Sequence, residues 1–323
     1  MKGEHIFGRD VLRIDCAQVT EEIVRFMRGV TGQRLRKGVV VGLSGGIDSS
    51  VTAALCERAL GKDRVLGLIL PEKESNPVSF VYAELLARRL AIKTEKVDIS
   101  PTLDSLGVYS SREEVVKRSF PEFDASYRYR MILPQDLLQR DRMNIFSLEI
   151  VDSAGNTKSR RLGLTDYLEL MAATDMKQRT RMTMLYYHAE KRHYMVMGTT
   201  NKSEAIQGFF VKYGDGGVDA EPIGHLYKTQ VYQLAQWLDI PEEIVKRTPS
   251  PDTFSYEVSD KDFYFCIPYE ELDLLLYAWE QKIPIDDVTH VMGLTEQQVS
   301  RVFSDIKRKY TLSEHLRKAP PHL

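Results

Sequence analysis

The chain has 323 residues, 43% hydrophobic and 28% charged, a balance that suits one large domain or two small ones with a substantial core and argues against disorder. No apolar run approaches the roughly 20 residues a membrane helix needs, and the start MKGEHIFGRD lacks the apolar stretch of a secretory signal, so the cytoplasm is the expected location. A formal net charge of −2 and three widely spaced cysteines (Cys16, Cys56, Cys266) favour small-molecule chemistry over nucleic-acid binding and predict neither disulfides nor a cysteine zinc site.

Between Asp15 and Gly38, Val19, Ile23, Phe26, Met27 and Val30 recur at helical spacing. A first strand follows at Val39 to Leu43, a β-branched run suited to burial on both faces of a parallel sheet. SGGIDSS then opens a helix with an inner stripe of Val51, Ala54, Leu55 and Ala59, stopped at Gly61. A second strand is read at Val65 to Leu70, a helix at Tyr82 to Leu90 and a third strand at Lys96 to Ile99. A long helix through Met182, Leu185 and Ala189 leads to a fourth strand at Tyr194 to Gly198. Alternating strands and helices predict an α/β fold with a doubly wound parallel sheet.

Residues 101–170 break this rhythm and read as an insertion, because a crossover needs only a helix and short loops. Within it, Asn144 to Val151 alternates apolar and polar residues, DSAGN supplies a turn and Lys158 to Leu162 returns, which predicts a β-hairpin. The expected organisation is a synthetase domain over 1–254 carrying this insertion, with a helical C-terminal segment over 255–323 packed on it. Thr295 and Gln298 are spaced as a capping box for a late helix, and Pro320 and Pro321 mark a tail.

SGGIDSS lies between a buried strand and a helix, where glycines turn backbone amides toward an anion and the helix N-terminus adds partial positive charge. It lacks the lysine of a Walker loop and the spacing of GxGxxG. Ser44 and Ser49 offer hydroxyl donors. The Asp48 carboxylate would repel phosphate unless a hard cation lay between them, which implies Mg²⁺. The competing reading is a plain glycine turn before a serine-capped helix.

The loop resembles the SGGxDS loop of the N-type ATP pyrophosphatases, and the later segments narrow the resemblance. GTTNKSEAIQGFFVKYGDGGVDAEPIGHLYKTQV is similar to the extended motif of the NAD synthetase family, and RTRMTMLYYHAE resembles the helix that precedes it there. The resemblance implies the adenine nucleotide alpha hydrolase-like form of the α/β fold. It also implies ATP held by Ser44, Gly45, Gly46, Asp48, Ser49, Ser50, Thr199, Lys228 and Ser250, with Mg²⁺ on Asp48 and Glu204. Arg179, Lys212, Asp219, His315 and Arg317 would meet nicotinate adenine dinucleotide, and Asp215 would position or deprotonate ammonium. Catalysis would rest on Asp48, Asp215 and Lys228. Ammonia would come from solution or a separate donor, and a homodimer is expected because the family builds its dinucleotide site across a subunit interface.

Taken singly, Asp215 and Gly216 also read as an ordinary Asp-Gly turn, Lys228 as a surface charge and Glu204 as a helix-start residue. The chain departs from the family on the acceptor side. Asp175 and Gln178 stand in the segment where the family has GNxxAR, the loop after Pro249 lacks the family's Gln-x-Asp-Glu, and Leu316 replaces a lysine. An alternative is therefore a ligase of the same superfamily acting on another carboxylate. A further one, a nucleic-acid module, is prompted by the helix-turn-helix look of the segment containing Arg301, Lys307, Arg308 and Lys309.

Overall fold

The computed structural model describes residues 7–134, 137–140 and 145–322. Its elements in order are α1 (Cys16–Gln33), β1 (Gly38–Gly42), α2 (Ile47–Leu60), β2 (Val65–Ile69), α3 (Pro77–Leu90), β3 (Lys93–Lys96), α4 (Ser100–Ser105) and α5 (Val108–Ser119). Then come β4 (Arg128–Ile132), β5 (Ser147–Val151), β6 (Thr157–Arg161), α6 (Leu164–Arg192), β7 (Tyr194–Met197), α7 (Lys202–Gln207), α8 (Lys228–Trp237) and α9 (Glu242–Val245). The chain ends with α10 (Tyr269–Gln281), α11 (Ile285–Met292), α12 (Glu296–Leu312) and α13 (Glu314–Arg317). Among the described residues no helix is long and apolar enough to cross a membrane.

Four parallel strands form one sheet in the order β3-β2-β1-β7. Side chains alternate between two buried faces, as the strand period requires. Val39, Val41, Val65, Ile69, Met195 and Met197 pack with Ile23, Met27, Leu55 and Val231 of α1, α2 and α8. Val40, Leu66, Leu68 and Val196 point the other way, onto Leu103, Val108, Met182 and Leu185 of α4, α5 and α6. Each such aliphatic side chain contributes roughly 1.5–3 kcal/mol on burial, and a polar replacement on either face would lose that layer.

The third strand lies earlier than the sequence suggests. β3 is the polar run Lys93–Lys96 on the sheet edge, mostly solvent-facing, so no apolar pattern marks it. The stretch expected to be the strand runs on beside β2, with Val97 N donating to Ile69 O at 3.0 Å and Ile99 N to Pro71 O at 3.1 Å. α3 also begins earlier than expected, at Pro77, because the Asn76 side chain accepts from Val78 N at 3.0 Å and proline suits the first helical turn.

The insertion contains the expected hairpin, β5 paired with β6, although Asn144 lies outside the described residues. Asp152 Oδ1 accepts from Ala154 N at 2.9 Å and Asn156 N at 2.8 Å, which fixes the turn. β4 adds a third antiparallel strand to β5, and Val115, Tyr129, Leu148 and Ile150 share a core with Phe254 and Phe263. The Thr295 capping box is formed, with Thr295 Oγ1 accepting from Gln298 N at 3.3 Å. Of the basic residues in the helix-turn-helix-like segment, Arg301 bonds Leu137 O, Arg308 pairs with Asp305, and Lys309 pairs with Asp305 and bonds Tyr264 O.

Candidate active site

β1 lies between β2 and β7, so the chain's later crossover reverses direction at β1 and leaves a crevice between the carboxyl ends of β1 and β7. A cavity of about 670 Å³ opens there. Gly45 has φ +71°, and a Cβ on it would lie 2.3 Å from Ser79 O, so this position needs glycine for backbone shape and for the close approach of α3. Gly46 is the N-cap of α2 and makes no side-chain cap bond. The first amides of α2 therefore suit an anion. Ser44 and Ser49 line the cavity with their hydroxyls 3.0 Å apart, whereas Ser50 is buried and donates to Gly46 O at 2.8 Å. Gly45 and Ser50 thus shape the loop from behind.

Asp48, Glu204 and Lys228 meet across the crevice. The capping box of α7 spends one Glu204 oxygen on Asn201 N at 3.2 Å, while Lys228 Nζ lies 3.5 Å from the other. Lys228 Nζ donates to Asp48 Oδ2 at 2.5 Å, and Asn201 Nδ2 donates to Asp48 Oδ1 at 2.9 Å. The helix-start role of Glu204 and its place in the site therefore coexist on different oxygens. Lys228 is 2% exposed, so it is no surface charge. Burial alone would lower its pKa, but Asp48, Glu204 and Asp260 more than offset this and push it up. Burial raises Glu204 well above the ordinary carboxyl range against the pull of Lys228, and burial raises Asp260 to about 6.

Asp273, from α10, holds Lys228 in place. It accepts from Ser203 Oγ at 2.5 Å and Thr229 N at 2.7 Å, and Ser203 Oγ accepts from Lys228 N at 3.0 Å. Asp48 and Glu204 supply hard oxygen donors. Two protein carboxylates leave most positions to phosphate and water, the arrangement Mg²⁺ prefers. Among the described residues no group of three or more His, Cys, Asp or Glu side chains could hold a metal by itself, so phosphate oxygens would have to complete the shell.

Thr199, Ser250, Arg179, Lys212, Asp215 and His315 all line the same cavity. Asp215 is partly buried, accepts from Val211 N at 2.8 Å, and is raised to about 6 mainly by burial, with Asp175 adding repulsion. It braces its turn and also lines the cavity. Lys212 Nζ donates to His315 O at 2.7 Å, and Arg179 Nε to Lys212 O at 3.3 Å.

Besides Gly45 and Ser50, two residues expected to meet the dinucleotide are not brought to this cavity. Arg317 bonds Ala205 O at 3.1 Å and Ser313 Oγ at 2.8 Å and also reaches Tyr310 O, capping α7 instead, while its neighbour Leu316 faces the cavity. Asp219 lies beside β7, accepting from Val196 N at 2.8 Å with Arg34 at 3.7 Å. Sequence reasoning also missed Arg181 and Arg247 in the lining. Arg247 donates to Gly45 O at 3.3 Å and Ser79 Oγ at 2.8 Å. No motif marks it, whereas Asn201 stood in plain view inside GTTNKSE.

An anion-ready loop, paired carboxylates and a buried lysine at the switch point of a parallel sheet define a nucleotide-using enzyme of the doubly wound α/β class. The NAD synthase family model matches residues 19–147 and 136–320. The chain is 43% identical over 311 residues to the NH(3)-dependent NAD(+) synthetase of Mesorhizobium japonicum, covering 96% of this chain and 97% of the relative. It is 40% identical over 271 residues to the enzyme of that name from Thermotoga maritima, covering 83% and 89%. The solved NH3-dependent NAD synthetase of Campylobacter jejuni superposes with a TM-score of 0.63 at 25% identity, over 96% of this chain and 100% of that one. The chain belongs to the NAD synthase family and is a carbon–nitrogen ligase.

Proposed function

We propose that the chain amidates nicotinate adenine dinucleotide with ammonia at the expense of ATP, forming NAD, AMP and pyrophosphate. The observation that carries this reading is the convergence on one cavity of the SGGIDSS loop, the Asp48–Lys228–Glu204 group and Asp215. Near-full-length relatives that are themselves NH(3)-dependent NAD(+) synthetases support it.

ATP would lie with its phosphates against the amides of α2 and the Ser44 and Ser49 hydroxyls. Asp48 and Glu204 would hold Mg²⁺, which when bound neutralises phosphate charge. The nicotinate carboxylate attacks the α-phosphorus, and the bond to the β-phosphate oxygen breaks as Lys228 stabilises charge on departing pyrophosphate. The mixed anhydride is a better acyl donor than the carboxylate. Asp215, ionised near neutral pH, takes a proton from ammonium, and the freed ammonia attacks the acyl carbon as the bond to AMP breaks and AMP carries off the second proton. Ammonia comes from solution or a separate donor.

The active form in this reading is a homodimer in which Asp219, outside its own cavity, meets dinucleotide seated in the partner. Incubation with Mg·ATP, ammonium and nicotinate adenine dinucleotide should yield NAD, AMP and pyrophosphate in equal amounts, with an Asp48→Ala control silent. ATP binding without NAD formation would redirect the reading to another carboxylate.

A further inference from the structure

Beside the cavity lies a buried ionic network that the reaction does not use. Lys177 and Arg112 are both 0% exposed. Lys177 Nζ donates to Glu72 Oε1 at 2.8 Å, Glu74 Oε2 at 2.5 Å and Thr253 O at 2.9 Å, which occupies all three of its hydrogens. Arg112 pairs with Glu74 and donates to Thr253 O at 2.8 Å, with its guanidinium beside the rings of Tyr129 and Phe254 at 5.2 and 5.0 Å. Tyr109 Oη donates to Glu72 Oε2 at 2.8 Å, and Tyr129 Oη to Glu74 Oε1 at 3.3 Å. Two carboxylates balance two cations, and the donors come from α5, β4 and α6.

The acceptors belong to two loops that line the cavity, the one after β2 and the one over 249–253. The second loop grips the start of α3 in turn, and α3 packs on the phosphate loop. Asp252 accepts from Asn76 N at 2.9 Å and Ser79 Oγ at 2.7 Å, and Ser79 O faces the missing Cβ of Gly45. A continuous series of contacts therefore runs from the insertion, through Thr253 O, to the loop that would hold ATP.

We infer that Lys177 and Arg112 are positioning residues that hold residues 249–253 and 72–76 in place over the phosphate loop before nucleotide arrives. The insertion, through Arg112 and Tyr129, is part of that support. A carbonyl held by two buried cations leaves the loop little freedom, so nucleotide binding does not have to order it.

The kinetic half of the test rests on the ATP reading above; the exchange half does not. Amide hydrogen exchange and steady-state kinetics would be compared in wild type, Lys177→Met and Arg112→Lys. In Lys177→Met, exchange over 72–76 and 250–254 should quicken about tenfold while the β1 and β2 amides are unchanged, and KM for ATP should rise about tenfold with kcat within about threefold. Arg112→Lys should move both readouts the same way by less, because one ammonium cannot reach Glu74 and Thr253 O as a fork does. It decides the matter if Lys177→Met does not fold. A lowered Tm with unchanged exchange in both loops and unchanged KM would overturn the inference. Should wild type fail to bind ATP, the functional reading falls and the exchange comparison still decides this one.

Discussion

Replacing Lys228 with methionine keeps most of the side-chain volume and removes the ammonium that Asp48 Oδ2 meets at 2.5 Å and Glu204 Oε1 at 3.5 Å. Breaking a buried pair from one side costs about 3–5 kcal/mol, since the remaining charge is left uncompensated. With an unfolding entropy of about 2.1 cal/mol/K per residue, a chain of this length should lose about 4–7 °C in Tm. The pH dependence follows from the carboxyls. The raised pKa of the lysine keeps its contribution fully present below its ordinary value of about 10.4. The cost in the variant falls on the carboxyl groups left without their cation, Asp48, Glu204 and Asp260, the last two already raised by burial in the fold. It should therefore be larger at pH 8 than at pH 5, shrinking as Asp260, raised to about 6 beside the lysine and higher without it, takes up a proton. Thermal melts of both proteins from pH 5 to pH 8 measure this, and kcat should fall about 10²–10³-fold in the same variant. A Tm difference under about 1 °C, or one that does not change with pH, would refute the account of this cluster.

Wild type should show a rise in kcat/KM for ammonium through about pH 6 as Asp215 ionises, and Asp215→Asn should abolish it. Because its pKa is raised, the carboxyl costs the fold nothing near pH 4 and most above about 6. The variant should therefore be more stable than wild type at pH 8, by about 1–3 kcal/mol in denaturant titrations, with the gap closing toward pH 4. Gly45→Ala must place a Cβ 2.3 Å from Ser79 O at φ +71°. It should lose at least about 1–2 kcal/mol of stability from the left-handed backbone alone and bind ATP measurably more weakly by calorimetry.

The sheet and phosphate loop were legible because burial on both faces makes β1 and β2 continuous apolar runs, and the loop packs its glycines and serines into seven residues. β3 was misplaced because an edge strand written Lys-Thr-Glu-Lys has no inward stripe to read, while Val97 and Ile99 just beyond it do. β4 was missed because its arginines alternate with Tyr129 and Met131 in a segment with no turn signal tying it to β5. Within the site, Asp48 stood out in its loop, and Glu204, Lys228 and Asp215 could be named because they stand in the segment that resembles the family's extended motif. Their supports could not: Asp273 reaches Ser203 across 70 positions and Arg247 reaches Ser79 across 168. The same limit explains Arg317, whose charge suggested a ligand but whose neighbours are the open carbonyls at the end of α7.

The central claim is that the acceptor carboxylate is joined to the α-phosphorus before ammonia attacks. Nicotinate adenine dinucleotide labelled with ¹⁸O in its carboxylate, turned over with Mg·ATP and ammonium and analysed by mass spectrometry, tests it directly. The account predicts one labelled oxygen in AMP and none in pyrophosphate. Label in pyrophosphate, or unlabelled AMP beside newly formed NAD, would contradict it.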